Sequence, residues 1–110
     1  MTTRTNIRHS SEAREICPRG VEANYVIWSA IFGAVKVGRT CNLECDFRAA
    51  TRYFPDAVVV AIKVTGDRTL STKTEGLMQG LFDSINLRKN SGKRSEVYKA
   101  ESPEPFIKAL

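Results

Sequence analysis

Gly38-Arg39-Thr40 ends an apolar stretch that begins at Tyr25 (YVIWSAIFGAVKVGRT), and its three residue types suit a phosphate. Glycine lets a backbone approach a ligand closely, the guanidinium is a planar fork matched to phosphate oxygens, and the threonine hydroxyl can bond a phosphate or cap a turn. Lys36 adds a cation two residues earlier. The carboxylate that could complete such a site comes later, at Glu75. Thr72-Lys73-Thr74-Glu75 also spells a capping box, in which Glu75 would bond the free N–H groups at a helix start. Cys17, Cys41, Cys45 and His9 are metal-ligand types, but Cys41 and Cys45 fall at a helix start and Cys17 has no near neighbour, so a zinc pairing is not met. Three cysteines fit reduced thiols better than a disulfide framework.

The elements that must position these residues follow from periodicity. Tyr25-Val26-Ile27-Trp28 is β-branched and aromatic, Ile31-Phe32-Gly33 supplies a turn, and Ala34-Val35-Lys36-Val37 returns. Alternation sends Val26 and Trp28 to one face and Tyr25 and Ile27 to the other, so one face can carry chemistry while the other packs. By itself this is equally a structural hairpin with a polar rim. From the N-cap Asn42, the residues Leu43, Phe47, Ala50 and Phe54 recur at helical spacing until Pro55-Asp56. Ala57 to Val64 is nearly continuous in apolar character, which predicts a central strand closed by Gly66-Asp67. A second helix is predicted from about Thr72 to Leu87, with Leu77, Met78, Leu81, Phe82 and Ile85 as its buried stripe. The order predicts an α/β sandwich: a central three-stranded antiparallel sheet flanked by helices, then a late short strand and a C-terminal helix.

The chain has 110 residues, the length of one domain with one core. Lys and Arg number 17 against 12 Asp and Glu, a net charge of +5 that favours polyanionic partners. The charge is uneven. Residues 1–20 hold four arginines against two glutamates, show no apolar period and end in Pro-Arg-Gly, which reads as a flexible basic arm before a domain spanning 21–110. Arg88, Lys89, Lys93 and Arg94 flank Asn90-Ser91-Gly92, a basic loop suited to a phosphate backbone. No run of 18 apolar residues and no apolar leader is visible, so the chain is expected to be soluble and intracellular, cytoplasmic or nuclear.

Ala23-Asn24-Tyr25, ten residues, then Lys36-Val37-Gly38-Arg39-Thr40 resembles the paired signature of the GIY-YIG nucleases, in the variant whose second tripeptide opens with Lys. Asn42-Leu43 then stands where the family's first helix begins, Glu75 falls at the distance of its helical glutamate, and Gly92 to Lys99 (GKRSEVYK) resembles its Gly-basic-x-Glu-aromatic-aromatic strand. The resemblance covers Val21 to Leu110 and implies a metal-dependent endonuclease that hydrolyses DNA phosphodiester bonds. It implies that Tyr25 aligns or activates the attacking water, that Lys36 shuttles a proton or contacts phosphate, and that Arg39 and Thr40 bind the DNA backbone. Glu75 would hold Mg²⁺ or Mn²⁺ to polarise the phosphate and stabilise the leaving oxygen.

One position departs from the family. The family carries an arginine six or seven residues after the threonine; this chain has Asp46 and Phe47 there, and Arg48 slightly later. On a helix whose buried stripe is Leu43, Phe47, Ala50 and Phe54, Asp46 lies about 60° off the stripe and Arg48 points well away. Asp46 therefore occupies the arginine position. A carboxylate there repels a phosphate unless it joins Glu75 around a metal. Arg39 or Arg48 would then have to substitute, although Glu44 and Arg48 also form an i,i+4 pair. The alternatives to a nuclease are a non-cleaving nucleic-acid-binding module derived from the same fold, and a small protein-interaction domain whose charge serves solubility.

Overall fold

A computed structural model describes residues 1–82 and 97–110 of the chain. In chain order its elements are β1 (Thr3–Ile7), α1 (Ser10–Ile16), β2 (Ala23–Ser29), β3 (Ala34–Thr40), α2 (Leu43–Tyr53), β4 (Val58–Val64), α3 (Arg68–Phe82), β5 (Val97–Lys99) and α4 (Glu104–Ala109). The five strands form one antiparallel sheet in the order β1-β4-β2-β3-β5. The three-stranded centre predicted from the sequence is β4-β2-β3, and the late strand extends it by pairing with β3.

Strand alternation sorts the core into two layers. Tyr25 and Ile27 pack with Leu43, Phe47 and Ala50 of α2 and with Ala13 of α1. Val26, Val35 and Val37 pack with Met78 of α3 and with Phe106 and Ile107 of α4. Both faces of the hairpin are thus covered, which corrects the expectation of one packed and one open face. β4 serves both layers by alternation, and its register shift against β2 between Val26 and Ile27 lets Val59 and Ile62, three residues apart, enter the same layer while Ala61 enters the other. Asn42 caps α2 as predicted, its side-chain oxygen accepting the Cys45 N–H at 3.2 Å.

Residues 1–20 are corrected from a flexible arm to part of the domain. β1 pairs with β4, and Ile7, Ala13 and Cys17 are each at most 1% exposed within the first core layer. Glu12 accepts the His9 N–H at 3.1 Å and so fastens the start of α1. The bidentate pair of Arg4 with Glu104, at 2.6 and 2.8 Å, joins β1 to α4.

The second long helix is corrected at its start and on its buried face. It begins at Arg68, where Asp67 accepts the Thr69 N–H at 2.8 Å on its side chain and the Ser71 N–H at 3.0 Å on its carbonyl. Its buried residues are Ser71, Thr74 and Met78, whereas Leu77 and Leu81 are 63% and 67% exposed. Of its buried polar residues, Ser71 meets Asn24 and Glu22, whereas the Thr74 hydroxyl donates to the Leu70 carbonyl within the helix. Phe82 is half-buried and packs 4.1 Å, between ring centroids, from Phe106. Ile85 and Leu87 lie outside the described residues, as do Arg88, Lys89, Lys93 and Arg94.

Candidate functional site

β3 carries the polar end of the hairpin. In register with β2, Gly38 stands opposite Tyr25, Lys36 opposite Ile27, and Arg39 opposite Asn24. Cross-strand partners share a face, so Tyr25 and Lys36 lie on the α2 side while Asn24 and Arg39 lie on the α3 side. Tyr25 is 1% exposed, and the Lys36 ammonium sits 5.9 Å from its ring centroid. That distance is at the outer reach of a cation–π contact.

Glu75 reaches this strand from α3. Its Oε2 accepts the Arg39 main-chain N–H at 3.0 Å, across 36 residues of sequence. Because α3 starts at Arg68, Glu75 sits in its second turn, beyond the helix's unpaired amides, and the capping-box role does not apply. The other Glu75 oxygen makes no hydrogen bond or ion pair among the described residues.

A residue that pattern reading did not single out, Glu22, ties the same region together. Glu22 Oε1 meets Arg39 Nη1 at 3.5 Å, and Glu22 Oε2 accepts the Ser71 hydroxyl at 2.9 Å. Its main-chain carbonyl accepts the Thr65 and Gly66 N–H groups at 3.0 and 3.2 Å. Asn24, wholly buried, donates to the Ser71 carbonyl at 2.9 Å and to the Gly38 carbonyl at 3.4 Å. A glutamate next to a strand and a serine at a helix start look like surface residues in sequence. Only the approach of α3 to the hairpin makes them partners.

The remaining predicted residues are placed as follows. Thr40 is buried, and its hydroxyl oxygen accepts the Asn42 N–H at 2.8 Å, which is the turn-capping role of the two expected for it. Asp46 is half-buried on α2. Arg48 is exposed and lies 3.7 Å from Glu44, which also meets Arg14 at 3.2 Å. α2 and α3 pack in different core layers, and no cluster of three His, Cys, Asp or Glu side chains suited to a metal occurs among the described residues. Cys17 is buried with its thiol pKa pushed up by desolvation, while Cys41 and Cys45 are exposed free thiols. An open pocket of about 660 Å³ lies beside the hairpin turn, lined by Trp28, Phe32, Gly33, Lys99 and Glu101 among others, and includes none of Tyr25, Lys36, Arg39 or Glu75. Among the described residues no helix is long and apolar enough to cross a membrane.

No protein-family model, curated protein or solved structure matches the chain.

Proposed function

We propose that the chain is a GIY-YIG-like domain built for metal-dependent hydrolysis of DNA phosphodiester bonds. The observation that carries this reading is the Arg39 N–H to Glu75 contact at 3.0 Å. It brings the helical carboxylate to the strand that bears Lys36, Gly38 and Arg39, in the order the motif spacing implies. The Glu75 donor set fits a Mg²⁺ or Mn²⁺ ion that keeps most of its waters, since such ions take one or two carboxylates rather than a full protein cage. When bound, the ion would polarise the scissile phosphate and stabilise the leaving oxygen.

The chain's own groups divide the other tasks. Arg39 offers guanidinium donors beyond the one facing Glu22, and its side chain is 26% exposed, enough to meet a phosphate oxygen. Lys36 brings a cation to the Tyr25 ring. The resemblance gives Tyr25 the attacking water and Lys36 a proton or the phosphate. Both lie on the α2 face of the sheet, across β3 from the Arg39 side chain, and would have to act past the edge of that strand. Thr40 contributes by fixing the turn into α2, with its hydroxyl committed to Asn42.

A second reading, a binding module that holds nucleic acid without cutting it, is favoured by Asp46. Of the two arginines offered in place of the family's helical arginine, Arg48 pairs with Glu44 and Arg39 shares its guanidinium with Glu22. The test is incubation of the protein with supercoiled plasmid and Mg²⁺, beside Glu75→Ala. Nicking by the parent that Glu75→Ala abolishes, with plasmid binding and folding retained, is expected of a nuclease. Equal cutting by both proteins removes Glu75 from the mechanism, and binding without nicking favours the second reading.

A further inference from the structure

Glu22 immediately precedes β2, and its side chain is only 15% exposed. Drawing a carboxylate that far out of water is unfavourable unless partners replace the lost hydration. Glu22 has three sets of partners, and all of them lead to Arg39 or to α3. The carbonyl holds the amides of Thr65 and Gly66 in the connection that enters α3, where Gly66 adopts φ +65°. Oε2 holds the Ser71 hydroxyl in the first turn of α3, and Oε1 faces the Arg39 guanidinium.

Ser71 and Glu75 are four residues apart, so they stand on one side of α3, about 6 Å apart along its axis. Fixing Ser71 therefore sets how far Glu75 extends toward β3. Arg39 is held at both ends by this arrangement, its side chain by Glu22 and its main-chain N–H by Glu75. The contacts close a circuit that runs from Glu22 to Ser71, one turn along α3 to Glu75, across to Arg39 and back to Glu22. Asn24 braces the circuit from within by bridging the Ser71 and Gly38 carbonyls.

We propose that Glu22 is the positioning residue of the Arg39–Glu75 site. It holds the Arg39 guanidinium and, through Ser71, sets α3 so that Glu75 meets the Arg39 N–H. The catalytic consequence rests on the endonuclease reading above, but the positioning itself does not. An ion pair of purely structural worth would lower global stability without acting on one amide in particular.

The test is amide hydrogen exchange in the full chain, comparing the parent with Glu22→Ala, Glu22→Gln, Ser71→Ala and Glu75→Ala. In Glu22→Ala, Arg39 should exchange about three- to tenfold faster relative to Val26 in the sheet core, the size expected for one weakened hydrogen bond. Glu75→Ala sets the upper limit of that effect. Glu22→Gln keeps an acceptor for Arg39 and a polar partner for Ser71, and should restore much of the protection. An Arg39 amide that is unchanged in Glu22→Ala, or that changes only in step with Val26, overturns the proposal. Should Glu22→Ala fail to fold, Ser71→Ala removes one hydroxyl and decides by the same comparison. With supercoiled plasmid and Mg²⁺, Glu22→Ala should lower kcat while leaving KM nearly unchanged. A parent protein without cleavage sinks the endonuclease reading and leaves the exchange result to decide the role of Glu22.

Discussion

Asp46 lies on α2, half-buried, beside Phe47 of the first core layer. In the endonuclease reading its charge opposes the negative charge that builds on the phosphate in the transition state. Losing one strong donor to such a charge typically costs about 10²- to 10³-fold in rate. Weak cleavage by the parent chain is therefore expected, with a gain of at least about 10²-fold from Asp46→Arg on the same magnitude. The half-exposed position admits the arginine stem with little loss of stability, because an aliphatic stem can lie along the helix while its head reaches water. Plasmid nicking rates at fixed Mg²⁺ measure this. Strong cutting by the parent with no gain from arginine would separate Asp46 from the site. At this scale the sequence singled out Arg39 and Glu75, which the structure joins by one hydrogen bond. It was opaque at Glu22 and Ser71, whose importance comes only from meeting each other.

The elements read from strong periodicity are the ones the structure returns: the hairpin, α2 with its cap at Asn42, and β4 in the sheet interior. α3 differs from the expectation because Leu77, Met78, Leu81 and Phe82 spell an apolar stripe, while the side that packs holds Ser71, Thr74 and Met78, with Ser71 meeting Asn24 and Glu22. The hairpin turn depends on Asp56, which follows α2 and accepts the Ser29 hydroxyl at 2.6 Å and the Ile31 N–H at 3.0 Å. The Ile31 amide, and then the Ser29 hydroxyl, hold the Asp56 carboxyl below its ordinary pKa. A depressed carboxyl contributes stability that is fully present above its unfolded pKa, about 3.9, and is lost as pH falls through the folded value. Asp56→Ala should therefore cost about 1 kcal/mol at neutral pH, a value kept low for the exposure of the carboxyl. Urea unfolding from pH 7 down to pH 2 would show the gap between parent and variant closing in acid. A gap that stays constant over that range would mean that the charge of Asp56 contributes nothing to the turn.

For the whole molecule, the net charge of +5 and the cluster at Arg88, Lys89, Lys93 and Arg94 predict salt-dependent binding to DNA. Replacing those four residues by Gln should flatten the slope of log K against log salt by roughly 0.9 for each true phosphate contact on duplex DNA. A slope left unchanged would remove this segment from the interface. The domain boundary was the least legible feature, because β1 and α1 are too short for periodicity to register and their apolar residues, Ile7, Ala13 and Cys17, are widely spaced. Their burial is tertiary in origin: Ile7 stands opposite Val59 of β4 and enters the layer that also holds Tyr25, Ile27 and Phe47. Truncating a fully buried isoleucine removes its transfer free energy and leaves a cavity, so Ile7→Ala should cost about 2–5 kcal/mol. The same change in a mobile arm would stay within about 0.5 kcal/mol. Denaturant midpoints at an unchanged slope of unfolding decide between them. A loss of the larger size also bears on the site, since β4 lies between β1 and β2 and the connection leaving β4 is fastened to Glu22. Loosening β1 should then raise exchange at the Thr65 and Gly66 amides before it reaches those of β3, on the far side of β2.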